Sequence, residues 1–361
     1  MIDFPGAVAV GALDADHPDA GVPAHYGDPS REQRILATEV GLVDRSNAGV
    51  LAVAGADRLG WLHGLTSQYL TDLAPMSGTE LLLLSPHGHV EEHAGVLDDG
   101  ETTWLDCPPG RAEPLLAFLA GMAFLLQVDP VDRSGDRALL SLVGPATGEA
   151  LASLGAGPLA EPDVLPVPPP KFEARTVPSR PSAMYAAGQL PAFDGLVRRV
   201  PGGADLLVPR SASGDVAAAV GVPTAGIWAY EALRVADRRP RLGFETDHKT
   251  LPSEVGWTRA VHFHKGCYRG QEAVARVHHL GRPPRRLVLL HLDGLSSQAV
   301  PERHTPVLTA GGERVGMIGT GARHFELGPI ALALIRASAA RTAAAGGTLR
   351  VGGIAASIDP D

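Results

Sequence analysis

From Leu287 onward the chain is broken at near-even intervals into short apolar runs: residues 287–292, 306–308, 314–318, 330–335 and 348–351. Turns separate them, and Gly311-Gly312 supplies a hairpin turn. Strand-length runs at this spacing predict a small all-β terminal domain, either a barrel or a sandwich. The rhythm begins after Gly281-Arg282-Pro283-Pro284, so residues 281–361 are read as a separate C-terminal β domain.

Upstream, helical and strand patterns alternate with hairpins. Residues 31–40 predict a helix and 49–53 a strand. Asp57 is a plausible N-cap for a helix over 58–65, where Leu59, Leu62 and Leu65 fall at helical spacing. Residues 81–84, 90–96 and 102–105 read as three strands, with Asp98-Asp99-Gly100 as the turn between the last two. Helices are predicted over 111–121, 146–154, 213–220 and 225–237, the last stopped by Pro240. A strand at 138–143 precedes a hairpin of 196–200 and 204–208 around Gly202-Gly203. Such interleaving predicts an α+β body rather than a doubly wound sheet, and no Gly-rich phosphate loop follows any of these strands. Residues 1–30 lack any period and read as an extended or loosely packed N-terminal arm. The proline-rich stretch 158–182 is either a domain linker or a long surface connection.

A length of 361 residues calls for two or three domains. The formal net charge of −9, from 31 basic and 40 acidic residues, argues against a general nucleic-acid binder. Two cysteines cannot build a disulfide framework or a four-cysteine metal site, so a reducing, cytoplasmic setting is expected. No basic, apolar leader and no apolar run near ~20 residues is evident, so neither a signal peptide nor a membrane span is expected.

The chemistry concentrates in Lys265-Gly266-Cys267-Tyr268-Arg269-Gly270-Gln271-Glu272, just before the terminal domain. A lysine and an arginine flank Cys267 at two residues on either side, and the following run continues as a helix. Cations and a helix N-terminus both favour thiolate, so an activated, partly exposed cysteine is expected, against the plainer reading of a turn that contains a cysteine. Three roles compete for Cys267: nucleophile or thiol carrier, ligand to a transferred iron–sulfur cluster, or redox-sensitive turn residue. His262, His264, His278 and His279 flank it, so a mixed His/Cys metal site is conceivable, with His262 and His264 on one face of a strand. Cys107, before Pro108-Pro109, reads as structural.

The octapeptide resembles the signature of the YgfZ proteins, folate binders linked to iron–sulfur proteins and related to the aminomethyltransferase, or T-protein, of the glycine cleavage system. The resemblance extends over roughly residues 30–358. It runs through Gly55-Ala56-Asp57 with Trp61-Leu62-His63-Gly64-Leu65-Thr66-Ser67, then Leu206-Leu207-Val208-Pro209 and Glu231-Ala232-Leu233-Arg234-Val235. It continues in Gly243, Glu245, Asp247 and Leu251-Pro252, and in the terminal domain in Pro306-Val307, Gly316, Leu327-Gly328 and Ala331-Leu332-Ala333.

The resemblance implies two interleaved α+β modules over 31–280 and a C-terminal β-barrel over 281–361, set in a ring around a folate channel. It implies a tetrahydrofolate-binding accessory protein that supports iron–sulfur cluster assembly or repair in client proteins, with Cys267 as the working residue. Trp228 would stack on the pterin. Arg234, with Arg238, Arg239 and Arg241 nearby, would hold the glutamate tail. Lys265, Tyr268, Arg269, Gly270, Gln271 and Glu272 would complete the signature site. Two departures stand out: Ala236 follows the leucine–arginine pair where the T-protein is acidic, and Ala48 stands where YgfZ relatives place an aromatic. A tetrahydrofolate-dependent aminomethyl transferase is the alternative, with Glu92 beside His93 as its carboxylate. A folate-independent thiol enzyme is the second alternative.

Overall fold

The computed structural model describes residues 6–162, 184–280, 282–294 and 300–360. Most of the proline-rich stretch, residues 163–182, lies outside them, as does Gly281. A two-stranded ribbon, β1 (Val8–Ala9) and β2 (Pro23–His25), opens the chain. Helix α1 (Pro29–Thr38) begins where Asp28 accepts the backbone N–H groups of Ser30 and Arg31, and Pro29 stands in the first turn. The chain then crosses from β3 (Gly41–Asp44) to β4 (Gly49–Ala54) and enters α2 (Arg58–Leu65). Asp57 is not a side-chain cap for α2; its carboxylate accepts Gln127 N–H at 2.8 Å instead.

A meander follows: β5 (Ser77–Leu84), β6 (Val90–Asp98) and β7 (Thr102–Cys107). Next come α3 (Ala112–Gly121), the short edge strand β8 (Asp129–Asp132), β9 (Arg137–Val143) and α4 (Thr147–Ser153). Strands β10 (Tyr185–Leu190), β11 (Gly195–Val200) and β12 (Gly203–Pro209) form a second meander. Helix α5 (Ser213–Val220), strand β13 (Thr224–Ala225) and helix α6 (Ile227–Ala236) complete this part.

All but the first two of these strands join one ladder in the order β13-β3-β9-β12-β11-β10-β5-β6-β7-β4-β8. Strand β10 is the seam, paired to β11 on one side and to β5 on the other. The two halves are interleaved in sequence, because consecutive β3 and β4 sit in different halves and so do β8 and β9. Each half has its own core. Leu140, Leu142, Leu206 and Val208 pack under α4 and α5; Leu51, Val53, Leu81 and Val96 pack under α2 and α3.

Helix α7 (Gln271–Leu280) leads to the terminal domain. There β14 (Arg285–Leu292), β15 (Pro306–Thr309), β16 (Arg314–His324), β17 (Gly328–Arg336), β18 (Leu349–Val351) and β19 (Ile354–Ile358) close a barrel, with α8 (Ala337–Ala344) packed on it. The antiparallel pairing of β14 with β19 shuts the ring, so a barrel and not a sandwich is formed.

The N-terminal arm is not loose. Val10, Val22 and Ala24 are buried against Leu36 and Ile227, and Asp19 is buried beneath Arg241. Burial of small apolar side chains anchors a segment whose sequence carries no period. No helix among the described residues is long and apolar enough to cross a membrane.

Candidate functional site

The signature alternates between inward and outward residues. Lys265 and Tyr268 are buried, whereas Gly266, Cys267 and Arg269 are exposed. Lys265 does not serve as a free cation beside the thiol. Its Nζ donates to the carbonyl oxygens of His63, Thr66 (2.6 Å) and Gln68 (2.9 Å), at the C-terminal end of α2. Burial drives this amine down to about 7, while the carbonyl oxygens act in the opposite sense by favouring ammonium. Tyr268 packs with Leu82, Leu84 and Trp257, and burial raises its phenol to about 12. Its ring also lies 5.1 Å from the Lys265 ammonium.

Gly270 has φ +81°, and a Cβ there would meet Gly88 Cα at 2.8 Å and collide with Ser85 O. The β5–β6 turn therefore presses directly on the signature, and only glycine fits. Arg269 reaches back to Glu91 at 3.0 Å. Gln271 donates its backbone N–H to Tyr268 O, and Glu272 is exposed in the first turn of α7. Cys267 is thus an exposed thiol on a turn fixed from several sides. Cys107 is buried, and burial pushes its thiol well up.

The Thr66-Ser67-Gln68 segment is locked to the same region. Ser67 Oγ donates to Ala260 O at 2.6 Å, His262 N–H donates to Ser67 O, and Gln68 Nε2 donates to Arg259 O at 3.0 Å. Two sequence motifs some two hundred residues apart form one unit. Sequence reasoning noted both but did not join them, and it gave no role to Ser67 or Gln68.

The flanking histidines are not on a strand: His262 and His264 lie in an irregular segment, their rings 6.3 Å apart. His278 stacks on Phe263 at 3.9 Å. Among the described residues, no group of three or more His, Cys, Asp or Glu is arranged to hold a metal ion.

A second feature lies between the two half-sheets. A small cavity, with room for little more than a water molecule, is lined by Val50, Leu97, Trp104, Leu105 and Asp106 on one side, and by Leu139, Arg198, Asp205 and Leu207 on the other. Arg198 and Asp205 face each other across β11 and β12, 2.8 Å apart, and Arg198 reaches Asp106 at 2.8 Å. Asp205 also accepts from Ser141 at 2.7 Å and pairs with Arg45 at 3.2 Å. The Arg198 Nε is buried and has no hydrogen-bond partner among the described residues. Nearby, Glu80 accepts from Tyr185 and pairs with His93, which stacks on Trp257 at 4.6 Å. Burial pushes Glu80 up, but His93, Tyr185 and the charge of Arg198 more than reverse it, to about 2.

Other expected site residues fall elsewhere. Glu92 is 4% exposed and ion-paired with Arg111; burial raises its carboxyl against the opposing pull of that arginine. Arg234 is buried and its guanidinium is spent on Glu231, Glu245, Thr320 and Arg239 O, so it holds α6 to the barrel and offers no donor to a ligand tail. Arg238 ion-pairs with Asp359, and Arg241 forks onto Asp19. Trp228 is 43% exposed beside His25 and does not line the cavity. Its neighbour Tyr230 lies between Arg45 (5.0 Å) and Arg239 (5.6 Å). Ala48 is buried.

Residues 285–361 match the CAF17 C-terminal beta-barrel domain. An aminomethyltransferase of Moorella thermoacetica is 28% identical over 95% of this chain and 90% of its own. A chloroplastic protein of Arabidopsis thaliana, described as a transferase, is 25% identical over 80% of this chain; the match spans 65% of that relative's length. The crystal structure of glycine cleavage system aminomethyltransferase T from Bartonella henselae superposes with a TM-score of 0.76 at 19% identity, over 98% of this chain and 93% of that one. The chain is thus similar in sequence to aminomethyltransferases, shares the fold of aminomethyltransferase T, and ends in a barrel that matches the CAF17 C-terminal domain.

Proposed function

We propose that the chain binds tetrahydrofolate and supports iron–sulfur cluster assembly or repair in client proteins, with Cys267 as its working thiol. One observation carries this reading: the exposed cysteine stands on a rigidly held turn, whereas the carboxylate foreseen for transfer chemistry, Glu92, is buried and ion-paired. A general base must reach the proton it takes, and Glu92 is turned to Arg111 instead.

The polar cluster between the half-sheets carries groups of the kind that recognise the ring system of a folate. Asp106 matches the N–H edge of a pterin, the Arg198 Nε, partnerless among the described residues, matches a ring oxygen or nitrogen, and Trp104 offers an aromatic wall. The cavity is far smaller than ligand pockets of roughly 300–1,000 Å³, so a folate ring enters only if the half-sheets part there. Elsewhere on the chain, Trp228 offers an open indole face. When bound, tetrahydrofolate supplies a nitrogen able to carry one carbon. Asp106 would orient the ring there.

The test is a calorimetric titration with reduced folates. Saturable binding is expected, weakened tenfold or more by Asp106→Asn, which corresponds to about 1.4 kcal/mol, and also weakened by Trp228→Ala. Absence of binding at millimolar folate would remove the folate half of the proposal. Cys267→Ala is expected to keep the melting temperature and the folate affinity, yet lose the ability to restore iron–sulfur enzyme activity in a deletion strain. Full restoration by that variant would remove the thiol half. Turnover of an aminomethyl donor would favour the transferase reading.

A further inference from the structure

Helix α2 ends in a cation site made of main chain. The last-turn carbonyl groups of a helix lack intrahelical partners and carry the negative end of its dipole. Here Leu62 O is satisfied by Thr66, through its N–H at 3.0 Å and its hydroxyl at 2.8 Å. The carbonyl oxygens of His63, Thr66 and Gln68 instead converge on one point, and the Lys265 ammonium occupies it. An ammonium has three N–H donors and no acceptor, which matches three carbonyl oxygens one for one. Lys265 is 6% exposed, so the bonds form out of water, where loss of one partner is costly.

We propose that Lys265 is a tethered ammonium closing a three-carbonyl cation site at the end of α2, and that it serves Cys267 as a positioning residue through this clamp. The inference rests on Cys267 being the working residue, but the clamp itself is independent of folate and of any client. It joins residues 63–68 to the segment that carries the thiol. The site is selective for a small cation with N–H donors or weak hydration, such as ammonium or potassium, once the side chain is removed. A planar guanidinium does not match three converging oxygens.

Amide hydrogen exchange read by mass spectrometry tests this. In Lys265→Ala, exchange over residues 63–68 and 262–270 is expected to speed up together by about tenfold or more, since local opening sets the rate. Ammonium chloride should slow both segments again. Tetramethylammonium chloride, equal in charge but lacking N–H donors, should not. Lys265→Met keeps the stem packing and should show the same speeding without rescue. Cys267→Ala should leave both segments unchanged, which separates the clamp from the thiol's own role. Unchanged exchange in both lysine variants would overturn the proposal, and so would equal rescue by the two cations. Should neither variant fold, the unmodified protein decides: the two segments are expected to open at one common rate, and independent rates refute the clamp.

Discussion

Arg198 lies across two glycines. A Cβ at Gly78 would meet its Cδ at 2.7 Å, and one at Gly95 would meet its Nη1 at 2.6 Å. The guanidinium can reach Asp106 only because both strands are bare at this point. Gly95→Ala is therefore expected to push Arg198 off Asp106 and to lower stability by about 1–3 kcal/mol, the usual cost of overpacking. A urea unfolding curve with a lower midpoint and an unchanged slope would show it. Folate affinity should fall in the same variant, and wild-type behaviour in both assays would mean that the arginine has another place to go. The sequence makes residue types legible here but not their partners. Lys265 looks like a neighbour of Cys267 because the two are close in the chain, yet its ammonium is held by carbonyl oxygens from His63, Thr66 and Gln68. Arg234 looks like a ligand arm because nothing local reveals Glu245 and Thr320 as its partners. Asp106, Arg198 and Asp205 carry no motif and come together only when the two half-sheets face each other.

Elements with a strong period were legible to within a few residues, and those without one were not. The helices α2 and α5 fall where apolar spacing places them, and the β6–β7 hairpin turns at Asp98-Asp99-Gly100. Strand β8 escaped notice because it is short, polar and at the sheet edge, where no burial demands apolar residues. Helix α8 and strand β19 are built largely from alanine and serine, whose weak hydrophobicity makes their apolar face faint in the sequence. The start of α1 was also overlooked, although Asp28-Pro29 is a good helix-start signal. Asp28 is exposed and satisfies two backbone N–H groups at 3.0 Å each. Asp28→Ala should cost about 1 kcal/mol, whereas Asp28→Asn or Asp28→Ser should cost little. Chemical denaturation of the three variants side by side checks this, and equal losses in all three would mean that the carboxylate acts by charge rather than as a cap.

On the scale of the whole molecule, the barrel is fastened to the body by charge as much as by apolar contact. Arg234 links Glu231 on α6 to Glu245 and to Thr320 of β16, while Arg285 of β14 holds both Asp247 and Glu254. The seam between the half-sheets repeats the device with Glu80 and Tyr185. Burial pushes Glu231, Asp247 and Glu80 towards protonation, and their partners more than reverse it, so that each sits near 2. These are carboxylates with folded-state values below the ordinary 4.5, 3.8 and 4.5. The unfolded chain then takes up protons first as the pH falls, and stability drops with it. The contribution is complete above about pH 5, declines between about pH 4.5 and 2, and is gone below both limits. Stability measured in urea should therefore be level from pH 7 to 5 and fall steeply below 4.5. Asp247→Asn should start lower at pH 7 and fall less, because its share of the proton uptake has been removed. Parallel curves for the parent and Asp247→Asn would show that the Arg285 junction does not govern how the barrel is attached.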